Sequence, residues 1–484
     1  MINVISNGEI IGQANTVQLQ NNAFESNVLV RNVDLNHISC VNNNINRMFV
    51  TCDKLNSVVN INDNVKFMNH TFAGCQNITY VDSIPNSVTD MGACFYNCIS
   101  LVNAPELPQN LTSLWATFQQ CRNLVNAPTT IPNGVTNVYD AFMRCHKLVN
   151  APSFEHLNID TMYRTFCDCY ELKQVSTIPS SVSNMYCTFQ NCYNLETAPK
   201  IESTNITNMF CTFQNCSKLT HINNVPPCSS LHYTFDDCTS LTSVPSIPDG
   251  VVNMHGTFDG CRNLTTVQSL PNSLVYMSDT FLLCVNMVDA PTIPNSVTDM
   301  SRTFVDCHSL KYVNSISNSV TTMYETFNNC INLISCTDIP DSAINLCRTF
   351  IGCTNLTTAP NIGSNAVNIR ATFRTCEKLE GNIFVHSTNV NDAYNFVDGT
   401  SLEKDIYIPL TYANGVNTST YNAFVAQGYS TTARKNGALL KDINTYEPSE
   451  PPVDLSSYNY TVVDGNALLN QYIGVNNSVV VPNF

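Results

Sequence analysis

The 23 cysteines and nine histidines of this 484-residue chain are the side chains with most chemistry to offer. Four close pairs, Cys94 with Cys98, Cys167 with Cys169, Cys187 with Cys192 and Cys211 with Cys216, mimic metal or dithiol spacing. None is the Cys-x-x-Cys pair that completes a tetrahedral zinc site, so neither a metal nor another cofactor is expected. His146 and His308 each follow a cysteine and are expected to face solvent, and a Cys–His nucleophile there would consume a thiol needed for packing. Asp236 and Asp237 read as surface acids rather than a glycosidase pair. The chain has no Gly-rich phosphate loop, no His-Glu-x-x-His and no calcium-loop signature. A non-enzymatic protein is expected.

The cysteines are needed for packing because they belong to a repeat. Phenylalanines recur from Phe49 to Phe396 in sixteen turns spaced 22 to 24 residues apart, and a cysteine follows three residues after each of the first fifteen, from Cys52 to Cys376. An aliphatic residue comes three further on, as in Leu55 and Leu101. In the last turn Gly399 stands in the cysteine's place, as expected where stacking ends. A period of this length marks a solenoid, in which each turn touches only its neighbours. Equivalent cysteines then stack about 4.8 Å apart with parallel side chains, a poor approach for a disulfide, so buried free thiols are expected.

Within one turn, Val88, Met91, Phe95 and Cys98 are spaced 0, 3, 7 and 10, which on a helical wheel confines them to one face. The spacing predicts a short helical turn, capped at Asn86 or Ser87 just after Pro85, with the same cap at Asn295-Ser296, Asn318-Ser319, Ser180-Ser181 and Asp341-Ser342. Leu101-Val-Asn-Ala-Pro105 is short, extended and fenced by proline, and predicts a brief parallel strand. The expected fold is therefore an α/β solenoid of about sixteen 23-residue repeats, each a short strand plus a short helical turn, with β-rich terminal caps. Threonine precedes phenylalanine in twelve turns; its hydroxyl is expected to bond a neighbouring carbonyl while its methyl packs.

One column varies informatively. The residue after the methionine position reads Trp115, Tyr139, Tyr163, Tyr186, Phe210, His232 and His255 in seven consecutive turns, then Ser278, Ser301, Tyr324, Cys347 and Arg370. At the margin of the apolar arc these rings are expected to be half exposed, either sealing the core edge or binding a sugar or a protein partner. The formal net charge of −15 disfavours nucleic acid and anionic membranes. No run of eighteen apolar residues exists, and the N-terminus has neither a basic nor a sustained apolar region, so Sec export and membrane insertion are not expected.

The pattern Leu-x-x-[Val/Ala]-Pro-x-Ile-Pro-x-Ser-Val-Thr-x-Met-x-x-Thr-Phe-x-x-Cys, typified by Pro291-Thr-Ile-Pro-Asn-Ser-Val-Thr-Asp-Met300, resembles the BspA-like leucine-rich repeat over about three quarters of the chain. Threonine before phenylalanine and methionine for isoleucine depart from the family's usual turn. The resemblance implies extracellular adhesion or recognition and no chemistry. Residues 1–40 read as an N-terminal β-rich cap or attachment segment, 41–402 as the solenoid, 403–446 as a closing module, and 447–484 as a Pro-rich linker with a short β-rich tail. The expected role is a virion structural or receptor-recognition protein of a phage, such as a fibre or appendage, with other virion proteins and a protein or cell-surface glycan as partners. A bacterial cell-surface adhesin and an intracellular scaffold are the alternatives. Homo-oligomerisation through the terminal segments fits each of them.

Overall fold

The computed structural model describes residues 2–6, 9–14, 17–36, 38–400, 404–446, 458–463 and 466–472. Up to Ile443 the chain is one compact unit, a β-solenoid of about sixteen turns. Apart from an antiparallel N-terminal pair, Ile2–Ser6 with Glu9–Ala14, its strands are parallel and mostly brief, as in Tyr80–Val81 and Tyr312–Val313, and in many turns shrink to a single bridge such as Asn103 with Asn126. Among the described residues no helix is long and apolar enough to cross a membrane.

The expected helical turn is not helical. Around Phe95, the amides of Ala93, Phe95 and Asn97 donate to the carbonyls of Trp115, Thr117 and Gln119 in the next turn, at 2.8–2.9 Å. The intervening amides of Cys94, Tyr96 and Cys98 donate three residues back, to Met91, Ala93 and Phe95. This alternation needs a left-handed residue two before and two after each phenylalanine, here Ala93 (φ 50°) and Asn97 (φ 58°). The spacing of the layers explains the choice. Ladder rings stack 5.3–5.8 Å apart, whereas packed α-helices need about 8–10 Å between axes. A helix in every turn cannot fit; a ribbon of linked turns can. The predicted caps accordingly have no helix to cap: the Ser87, Ser181, Ser296 and Ser342 hydroxyls donate to Val65, Ile159, Leu274 and Val320 carbonyls in the preceding turn, at 2.6–2.8 Å.

Phenylalanine, cysteine and threonine ladders run through the interior beside columns of buried methionine, leucine and valine. The phenylalanine rings lie nearly parallel through most of the array. Each ladder cysteine is buried and donates Sγ to the phenylalanine carbonyl of the preceding turn, Cys75 to Phe49 at 2.9 Å and Cys261 to Phe235 at 3.1 Å. That carbonyl also accepts its own turn's cysteine amide, so the thiol uses a second lone pair. Every cysteine is a free thiol, and burial pushes the Cys121 thiol up to about 12. Threonine behaves as expected: Thr188, Thr280 and Thr326 are buried and donate to Met162, Met254 and Met300 carbonyls, each at 2.8 Å.

Both ends of the ring ladder differ from the sequence reading. Residues 1–40 were expected to lack the repeat, yet Phe24 stacks on Phe49 at 5.4 Å and 4°, between left-handed Asn22 and Ser26. At the other end Phe396 occupies the threonine column, because the Phe373 amide donates to the Phe396 carbonyl as the Phe350 amide does to Thr372. Val397 takes the ring's place, Thr400 rather than Gly399 takes the cysteine's, and Phe396 meets Phe373 at 73°. The parallel strand Lys404–Ile408 then pairs with both Ile383–Phe384 and Ala438–Asp442. An α-helix, Ser419–Ala426, capped by the Thr418 hydroxyl on the Tyr421 amide, sets Phe424 edge-on against Phe396 at 5.3 Å. The second unit, Asn444–Phe484, contains an antiparallel pair, Tyr458–Val463 with Asn466–Tyr472. The Pro-rich linker expected at 447–452 lies outside the described residues.

Candidate functional site: the aromatic columns

The solenoid positions the aromatic column through a short local device. In the seven turns from Trp115 to His255 an Asn, Ser or Thr two residues ahead accepts the amide of the column residue, as Asn137 does for Tyr139 (3.0 Å), Asn184 for Tyr186 (3.0 Å) and Asn208 for Phe210 (3.0 Å). The backbone under each ring is thus fixed twice, by this bond and by the inter-turn ladder.

The seven sequence-predicted residues do not form one uniform stack. Tyr139, Tyr163, Tyr186 and Phe210 lie face to face, with centroids 4.5, 4.7 and 5.3 Å apart and planes within 11°. His232 meets Phe210 at 86°, and His255 meets His232 at 71°. Trp115 stands apart: it is 41% exposed, lies over Gly92, where an added Cβ would come within 3.0 Å of the indole, and meets His70 edge-on. Tyr163 and Tyr186 have both faces covered by neighbouring rings, so a sugar cannot stack flat on them. Their edges and hydroxyls are what the column presents.

Arg164 reinforces the tyrosine segment. Its guanidinium sits 4.9 Å from the Tyr163 centroid and 5.9 Å from that of Tyr139, and makes two bonds to Asp140, at 2.9 and 2.8 Å. Burial raises the Tyr139 phenol above its ordinary value.

A second aromatic column escaped the sequence reading. His146, Tyr170 and Tyr193, each directly after a ladder cysteine, stack at 4.3 and 5.1 Å. His146, expected in solvent, is half-buried by this stack, whereas His308 keeps 45% of its side chain exposed. The signal was an aromatic after cysteine in three consecutive turns. The two columns bracket the same turn segment, three residues before and four after the ladder phenylalanine.

Beyond Phe210 the surface becomes polar. Tyr233 Oη lies 3.1 Å from His255 Nε2, and His255 Nδ1 lies 2.6 Å from Ser278 Oγ and 3.6 Å from Asp279 Oδ2. A serine beside an imidazole suggests a nucleophile and its base. A triad, however, needs the carboxylate on the nitrogen opposite the serine, and here Asp279 shares the serine's side while a phenol occupies the other. The arrangement is a hydrogen-bonded relay, not an acyl-transfer centre. Two half-buried acids lie close by: Asp259 is pushed up to about 7 by burial and by Asp236, Asp279 and Asp237, and Asp236 up to about 6 by burial. Among the described residues no three histidine, cysteine or acidic side chains are placed to hold a metal ion.

The model of the BspA type leucine rich repeat region matches residues 3–102, 43–162, 141–254, 230–357 and 302–427. No curated protein sequence matches. Solved structures similar in fold include a leucine-rich repeat protein from Bacteroides ovatus, at 20% identity over 73% of this chain and 92% of that one, TM-score 0.48. A leucine rich cell surface protein from Faecalibacterium prausnitzii matches at 19% identity over 56% and 81%, TM-score 0.36. The repeat matches run through most of the turns just described, and the chain belongs to the BspA-type leucine-rich repeat family.

Proposed function

We propose that this chain is a non-enzymatic recognition protein whose binding face is the pair of aromatic columns between Trp115 and His255. The observation that carries this reading is the change in one column while the core stays constant. Phenylalanine, cysteine and threonine ladders run on past His255, yet the column residue becomes Ser278 and Ser301, then Tyr324, Cys347 and Arg370, so the unbroken run of rings ends. Packing alone would treat all turns alike. The covered ring faces favour a partner that meets edges and hydroxyls, a protein surface or the hydroxyl rim of a glycan, over one that needs a flat platform. Family membership favours display on a bacterial cell; a phage appendage bearing the same columns is the other setting.

The test replaces Tyr139, Tyr163 and Tyr186 together by Ser and measures binding of labelled protein to host cells, bacterial cells and a glycan panel. Binding is expected to be lost with little change in Tm. A large fall in Tm with binding retained refutes the reading.

A further inference from the structure

The turn from Phe213 to Phe235 is the short one, 22 residues rather than 23. On either side of it the ladder is intact at the position after the Asx residue: Met185 amide to Asn208 carbonyl at 2.8 Å, Leu231 amide to Asn253 carbonyl at 2.9 Å. Between them the equivalent bond, Met209 amide to Ser230 carbonyl, is not made, and neither is the bridge between Asn208 and Ser230. The Thr207 carbonyl also loses the inter-turn amide that Ser183 receives from Thr207 itself. The two backbones are out of hydrogen-bonding register at this point.

The same bond lapses at Met91 and Val138. There the next turn's ring packs directly over its neighbour, Trp115 against Gly92 and Tyr163 flat on Tyr139. At the short turn His232 stands edge-on to Phe210 instead, and a cleft of about 300 Å³ remains, lined by Tyr186, Thr207, Asn208, Phe210, Ser230 and His232 together with Met209.

From this lining we infer that the cleft is a binding site for one neutral pyranose unit of a glycan, an inference that rests on the aromatic face being the recognition surface. No lining residue carries a carboxylate, ammonium or guanidinium, and the chain's net charge of −15 repels anions. The unpaired groups are of both kinds: the Met209 amide and the Asn208 side-chain amide donate, and the Thr207 and Ser230 carbonyls accept. A sugar hydroxyl serves both at once. Burial and the neighbouring His255 hold the His232 imidazole below its ordinary value, so it too is neutral at pH 7. Ring edges of Tyr186 and Phe210 offer apolar contact to the sugar's C–H groups. The volume lies at the small end of ligand sites, which run from about 300 to 1,000 Å³, and suits one ring rather than a chain. A peptide strand would need the interruption to continue into adjacent turns, where the ladder is closed.

Saturation-transfer NMR on the full chain, with methyl pyranosides of glucose, galactose, mannose and N-acetylglucosamine at millimolar concentration, reads this directly. At least one is expected to bind, and Asn208→Asp, which keeps the oxygen that accepts the Phe210 amide and removes the amide donor, is expected to weaken it about tenfold. Phe210→Ala, which removes one of the ring edges offered to the sugar, is the second variant, with Tm checked for both. Absence of binding by every neutral pyranoside, full binding retained in both folded variants, or binding of a neutral hexapeptide in their place overturns the inference. Loss of cell binding in the triple tyrosine variant, with no pyranoside bound, leaves the recognition face standing and removes only the cleft. Pyranoside binding without any cell binding does the reverse.

Discussion

Replacing Phe258 by Ala measures what one rung of the interior ladder contributes. The ring is fully buried and sandwiched between Phe235 at 5.7 Å and Phe281 at 5.8 Å, both nearly parallel to it. Truncating a buried phenylalanine costs about 3–5 kcal/mol, and the two ring contacts put Phe258 in the upper part of that range. Phe24 has one ring partner, Phe49, and is only half-buried, so Phe24→Ala should cost roughly half as much. Urea unfolding followed by circular dichroism gives both values. A double-mutant cycle adds the stacking term: Phe235 with Phe258 should couple by about 0.5–1.5 kcal/mol, whereas Phe258 with Phe350, four turns away, should be additive. Equal losses at Phe24 and Phe258, or coupling as strong at four turns as at one, would refute nearest-neighbour stacking.

Thiol titration should label few cysteines in the native state, since all but Cys40 and Cys336 are buried, and all 23 in denaturant; ready labelling of most native thiols contradicts the cysteine ladder. The contribution of Asp236 and Asp259 to stability should rise as pH falls from 7 towards 5, opposed by His70, His146 and His232, whose lowered values favour the neutral ring. Asp236 and Asp259 have folded values of about 6 and 7, above the ordinary 3.8, so the fold favours their protonated forms and loses stability as pH rises through those values. The Asp236→Asn, Asp259→Asn double variant should flatten the Tm profile; an unchanged slope would place the titration elsewhere.

The period, the buried columns and the threonine bonds were legible in the sequence because each is repeated many times in phase. The helix was a misreading with a physical source: spacings of 0, 3, 7 and 10 suit a helix and equally suit linked turns that return to the same face. The discriminating signal lay in the positions four residues apart, where Asp168, Asn191 and Asn215 and the pair Gly256 and Gly260 tolerate positive φ. Phe396 was misplaced because a ring in the threonine column looks like a ladder ring unless Asp392 is aligned first with Asn368. The candidate site was legible as a list of rings and not as an arrangement. Trp115 leaves the stack because the preceding column residue is Gly92, and His232 turns edge-on where the turn is one residue short. Neither consequence follows from a single turn read alone.

Oxidative footprinting of the protein with and without its bound target cells tests the recognition face most directly. Protection is expected at Tyr139, Tyr163, Tyr186 and Phe210 and at Tyr170 and Tyr193, with the rings at Tyr276, Tyr312 and Tyr394 oxidised equally in both states. Protection confined to those last three, with the two columns unprotected, would contradict the account.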